Sequence, residues 1–257
     1  MKFSLGGAAT TRAGDQSWDN GGGPTDVWNQ QRYNPVMKHE IFGEIAQYAR
    51  MEFEPGERAW ASRGSLVAYS AGLTWRLQIP GGASGAVRRT LAGEGIALTL
   101  LEARAAGQHV VIAANAPGHI VEWDLRDGPV LTTRGAFLAA WGEGIGIDVA
   151  IARRTGAALF GGAGLFLQRI SGNGTALIYA RGDFQTIHLG AGEQLFVSTG
   201  NLAAMADGVD YDIQAVGGVR KAVFGREGLF MTRLTGPGRV LLQSLKRRAG
   251  SLHPAQR

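Results

Sequence analysis

Three observations on this 257-residue sequence predict an all-β fold of three tandem, pseudo-symmetric β modules with few or no long helices. Glycine occupies 40 positions, about twice the usual ~7%. It is poor inside helices and cheap at positive φ, so this abundance points to short strands joined by tight turns. Apolar runs are short and alternate with polar residues at the period of a half-buried strand. Two sequence patterns also recur along the chain, the mark of an internal repeat.

In chain order, residues 1–36 lie outside the repeat. They are rich in Gly, Asp, Asn and Gln, with Trp18, Trp28 and Tyr33 interspersed. They read either as a flexible extension or as an oligomerisation arm that docks its aromatics on a neighbouring subunit. The stretch "HEIFGEIAQYARM" fits neither strand nor helix period cleanly, so a short helix competes there. The first recurring pattern is "ARMEFEPGE" (49–57), "VEWDLRDGP" (121–129) and "QTIHLGAGE" (185–193). Met51 and Phe53, Trp123 and Leu125, and Ile187 and Leu189 alternate with polar residues and run into Gly56, Gly128 and Gly192. Gly64, Gly135 and Gly200 follow and open "GSLVAY", "GAFLAA" and "GNLAAM".

The second pattern is "GIALTLL" from Gly95, "GLFLQRI" from Gly164 and "GLFMTRL" from Gly228. Each reaches another turn glycine, at Gly107, Gly174 and Gly238, and then "HVVIA", "TALIYA" or "RVLLQ". Two apolar runs about a Gly-containing loop predict a β-hairpin. The three-repeat domain spans 37–245, and residues 246–257 form a basic, solvated tail. The chain enters on one pattern and leaves on the other. The terminal halves, roughly 45–69 and 219–243, can therefore complete one module between them and remove the edge strands.

The absence of cysteine excludes disulfides, thiolate metal sites and cysteine nucleophiles, and fits a reducing compartment. The N-terminus lacks a signal-peptide apolar core, and no run of eighteen apolar residues provides a transmembrane segment. A soluble, cytoplasmic protein is expected. The formal charge of +5 rests on 22 Arg and 4 Lys. It permits anionic partners, although an Arg bias beside high Ala and Gly also reflects coding composition.

No catalytic set emerges from the residues, and no cofactor or metal is expected. None of His39, His109, His119, His188 and His253 has a second ligand at metal spacing. His188 falls in the same column as Glu52 and Asp124, a solvent-facing strand position. Asp207, Asp210 and Asp212 lack the closing Glu of a calcium loop. The glycine runs lack the Lys or the strand–helix setting of a phosphate loop. Phe166, Phe230, Trp75, Trp123 and Trp141 read as core. One constellation recurs: Arg88-Arg89, Arg153-Arg154 and Arg220-Lys221, spaced 65 and 67 apart. Around a pseudo-symmetry axis they would form a basic ring able to grip phosphates of RNA or anionic lipid. Equally, each pair can cap a strand and face water.

The motifs "EPGERAWASRGSLVAYSAGL", "RRTLAGEG", "RGAFLAA", "LFGGAGLFLQRISGNGTALIYA", "VDYDIQAVGGVRKAVFGREGLF" and "LTGPGRVLLQS" resemble the family named after yeast altered-inheritance-of-mitochondria protein twenty-four. The resemblance covers about 37–245. It departs at Gly95, Ile96, Ala163 and the N-terminal extension. It implies a β-sandwich or prism like that of the trp RNA-binding attenuation protein, whose units assemble into rings. It implies no agreed activity for the bacterial members, and RNA binding does not travel with a fold. The expected function is a non-catalytic homo-oligomeric scaffold or binding protein, as a ring or trimer. The alternative is an anion-binding regulator acting through the dibasic pairs.

Overall fold

The computed structural model describes residues 37–80, 97–133, 135–150, 167–215 and 230–247, all within one compact unit, Val36–Arg257. Seventeen strands follow in order: β1 (His39–Phe42), β2 (Tyr48–Phe53), β3 (Arg58–Ala61), β4 (Leu66–Tyr69), β5 (Leu73–Gln78), β6 (Leu98–Ala103), β7 (Gln108–Ala113), β8 (Gly118–Asp124), β9 (Val130–Thr133), β10 (Phe137–Ala150), β11 (Leu167–Arg181), β12 (Phe184–Leu189), β13 (Gln194–Ser198), β14 (Leu202–Ala206), β15 (Asp210–Ala215), β16 (Phe230–Thr235) and β17 (Gly238–Gln243). The protein is an all-β fold. Among the described residues the helical turns are two 3-10 segments, Leu125–Asp127 and Thr199–Asn201. No helix of those residues is long and apolar enough to cross a membrane. The segment where a helix competed forms β1 and β2, which pair with each other.

Alternation drives these strands. In β2, Ala49, Met51 and Phe53 are buried while Tyr48, Arg50 and Glu52 are exposed. Burying side chains such as Met51 and Phe53 contributes roughly 1.5–3 kcal/mol each.

Between residues 48 and 113, β7 lies between β2 and β4, and β6 lies between β3 and β5. Between 118 and 181, the second half of β11 lies between β8 and the start of β10. Its first half lies between β9 and the end of β10. Between 184 and 243, β17 lies between β12 and β14, and β16 between β13 and β15.

Two sequence expectations are corrected here. The runs on either side of Gly107, and of Gly238, are not hairpins: β6 and β7 pair with different neighbours, as do β16 and β17. The backbone groups of each strand are already satisfied by flanking strands on both sides, so the glycine carries the chain from one sheet to another. In β11 the same passage is one continuous strand, and a Cβ on Gly174 would lie 2.0 Å from the Trp141 carbonyl oxygen. Nor, among the described residues, do the terminal halves pair with each other. Strands β2–β4 pair with β6 and β7, and β16–β17 with β12–β15.

The three stretches are joined edge to edge. Strand β3 pairs with β10 through Ala61↔Ala139, Trp60↔Ala140 and Ala59↔Trp141. Strand β9 pairs with β14 through Thr132↔Ala204, Leu131↔Met205 and Val130↔Ala206. Among the described residues, β4 pairs only with β7 and β13 only with β16, which leaves one open edge on each.

Three packed clusters form the core, built on Met51, Phe53 and Ile112; on Trp123, Ile170 and Ile178; and on Leu202, Met205 and Leu234. They interlock across the joins: Leu138 of β10 sits in the first cluster and Leu131 of β9 in the third. Trp123 and Trp141 are core residues as expected, but Trp75 is 47% exposed. It stands on β5, the end strand of its sheet, where only Leu73 is buried.

Candidate functional site

Two features of the described surface can act on another molecule. The first is a cleft of about 670 Å³ between the end of β8 and the start of β17. Strand β8 ends at Asp124, whose carboxylate accepts from the Arg126 amide at 2.9 Å and caps the following 3-10 turn. The Arg126 guanidinium folds back onto the same carboxylate, with Nε 2.8 Å from Oδ1. That hydrogen bond holds the Asp124 carboxyl below its ordinary value and raises Arg126 above its own.

Opposite, the Arg239 guanidinium lies 4.3 Å from the centre of the Trp123 ring, a cation–π contact. Its Nη2 donates a long bond, 3.4 Å, to the Glu122 carbonyl, while Nε is buried without a partner. Burial holds Arg239 below its ordinary value, with the nearby Asp127 carboxylate opposing the shift. His39 Nε2 lies 3.0 Å from Glu122 Oε1, within ion-pair distance but not aligned for a hydrogen bond. Its ring also meets Trp141 edge-on. Asp207 is paired with Arg169 at 3.0 Å.

Of the four carboxylates lining the cleft, Asp124 is paired with Arg126 and Asp207 with Arg169, Glu122 stands 3.0 Å from the His39 ring and Asp127 lies near Arg239; Thr175 is the one hydroxyl among the described lining residues. Among the described residues no three His, Asp or Glu side chains stand close enough to hold a metal ion.

The second feature is the open edge on β4 and on β13, two of the several sheet-end strands among the described residues. On β4, Val67 is 63% and Tyr69 48% exposed; on β13, Phe196 is 54% exposed. An open edge carrying apolar side chains is a template for strand addition.

Arg88, Arg89, Arg153, Arg154, Arg220 and Lys221 all lie outside the described residues, as do Phe166 and the side chain of Phe230. His188 is exposed on β12, as its column predicts, and stands opposite Arg239 at the cleft. Sequence reasoning missed Arg239. Its signal was an Arg after the turn glycine, where the other two copies carry Gln108-His109 and Thr175.

Residues 39–245 match the family described as mitochondrial biogenesis AIM24. An uncharacterised protein of Streptococcus pyogenes serotype M6 is 30% identical over 204 residues, covering 76% of this chain and 80% of that protein. A crystal structure of a Streptococcus pyogenes protein superposes with a TM-score of 0.67 at 25% identity, over 82% of this chain and 94% of that one.

Proposed function

The chain belongs to the AIM24 family, and we propose that it is a non-catalytic, homo-oligomeric scaffold or binding protein made of three pseudo-symmetric β modules. The observation that carries this reading is the pair of open edges on β4 and β13, with Val67, Tyr69 and Phe196 turned to solvent. An unpaired edge with exposed apolar side chains is a ready template for pairing with another chain. The recurring ladders within 48–113, 118–181 and 184–243 support the modular part. The engagement of Asp124 by Arg126 and of Asp207 by Arg169 in the cleft supports a non-catalytic role.

Native mass spectrometry of gently purified protein, with no nuclease or high-salt step, tests this reading. A discrete oligomer is expected, and a monomer at every concentration overturns it.

The second reading is an anion-binding regulator that takes RNA or lipid phosphates on Arg88-Arg89, Arg153-Arg154 and Arg220-Lys221. The recurrence of these pairs favours it. It requires salt-sensitive retention on an anionic surface that is lost when all three pairs are charge-reversed. Unchanged retention excludes it.

A further inference from the structure

We infer that β13 of one copy adds antiparallel to β4 of another in a defined register, with Ala68 opposite Val197, Tyr69 opposite Phe196 and Ser70 opposite Leu195. This inference rests on the homo-oligomer reading and supplies its interface.

The register comes from two joins already present inside the chain. Strands β4, β10 and β14 correspond residue for residue. Each pairs with its inner neighbour through the same interruption, between Leu66 and Ala68, Phe137 and Ala139, and Leu202 and Ala204. Ala68, Ala139 and Ala204 are therefore equivalent, as are Tyr69, Ala140 and Met205. Strands β3, β9 and β13 correspond in the same way: Ala61, Thr132 and Val197 face Thr99, Gln168 and Thr232 on their inner neighbours.

The joins β3·β10 and β9·β14 then use identical positions. Ala61↔Ala139 matches Thr132↔Ala204, and Trp60↔Ala140 matches Leu131↔Met205. The third member of the series is Val197↔Ala68 with Phe196↔Tyr69. Among the described residues that pairing is not made, and a second copy offers each edge its complement.

Two further observations agree with this register. At the made joins the outer-edge positions are dry: Ala140 and Met205 are 0% exposed and Leu138 is 2% exposed. Their counterparts Tyr69 and Val67 are 48% and 63% exposed. Each made join is also tied by a hydroxyl at one position. Ser62 Oγ donates to the Phe137 carbonyl, and Thr133 Oγ1 donates to the Leu202 carbonyl at 3.0 Å. The third position in that series is Ser198, and the third acceptor is the Leu66 carbonyl. Because each chain carries one edge of each kind, the association is head-to-tail; it forms a ring if the rotation closes and a filament if it does not.

The sequence contains no cysteine, so engineered thiols report this contact without background. Cross-strand Cβ atoms lie about 4.5–5.5 Å apart, close to the span that a disulfide tolerates. An oxidised equimolar mixture of Tyr69→Cys and Phe196→Cys chains is expected to give a covalent dimer that neither variant gives alone. The double variant is expected to give a ladder of covalent multimers. A dimer yield no higher in the mixture than in either variant alone overturns the inference, as does a disulfide that forms within single chains of the double variant.

Phe196→Asp checks the result without thiols. It is expected to weaken association at least about tenfold, as loss of a buried aromatic anchor does, while the dilute chain keeps its melting midpoint. If the unmodified chain is always monomeric, both the oligomer reading and this inference fail. If Phe196→Asp associates normally and no mixed disulfide forms, only the inference fails.

Discussion

Strands β4 and β10 open on the same pattern, a glycine followed by a short apolar run in "GSLVAYS" and "GAFLAAW", and meet opposite fates. Both pair with an inner neighbour through the same interruption. Strand β10 also receives β3 on its other side, and Leu138, Ala139 and Ala140 are buried. Strand β4 receives no described strand, and Val67, Ala68 and Tyr69 are exposed. Local sequence thus determines the ladder a strand forms, whereas burial depends on what reaches its outer edge. Tyr69, which stands where β10 carries Ala140, falls on the strand whose outer edge is open, where an added strand has room to cover it.

The largest expected effect breaks this contrast at its buried side. Ala140→Asp places an unpaired carboxylate in a dry join and is expected to cost about 3–5 kcal/mol in denaturant unfolding. The equivalent Tyr69→Asp is expected to change the stability of the dilute chain by no more than about 1 kcal/mol. Equal costs at the two positions would show that β4 is covered as β10 is.

The hydroxyl series sharpens the comparison. Thr133→Val removes a buried donor from the Leu202 carbonyl and is expected to cost about 1–2 kcal/mol. Ser198→Ala, at a position whose side chain makes no cap hydrogen bond, is expected to cost under about 0.5 kcal/mol in the dilute chain. It should nevertheless weaken association.

Away from the edges, Asp124→Ala probes the cleft. Loss of the cap is expected to cost about 0.5–1 kcal/mol at neutral pH. The folded-state pKa of Asp124 is depressed below the ordinary 3.8. Its contribution is therefore present above that value and lost as pH falls through the folded pKa. Unfolding curves of the two proteins should converge in acid; a gap that persists there contradicts the assignment.

Much of the strand pattern was legible because glycine and alternation are local signals. The columns Gly64, Gly135 and Gly200 open β4, β10 and β14, and the alternation at Met51 and Phe53 and at Trp123 and Leu125 marks buried faces. Pairing partners were not legible. Two runs beside one glycine look like a hairpin, and nothing within "LTLLEARAAGQHVVIA" says that its two halves join different sheets. Trp75 was read as core because its residue type favours burial; its exposure follows from the end position of β5, which only topology reveals. The cleft escaped notice for a similar reason: Trp123 and Arg239 are far apart in sequence and meet through ladders that no spacing encodes.

Amide hydrogen exchange of the unmodified chain, followed against protein concentration, tests the central claim most directly. If β13 adds to β4 between copies, protection of the amides in 66–70 and 194–198 rises together as concentration increases. Protection in β10 and β14 stays constant over the same range. If the amides of β4 and β13 exchange at the same rate at every concentration while the protein is oligomeric, the copies meet elsewhere and the account of the two open edges is wrong.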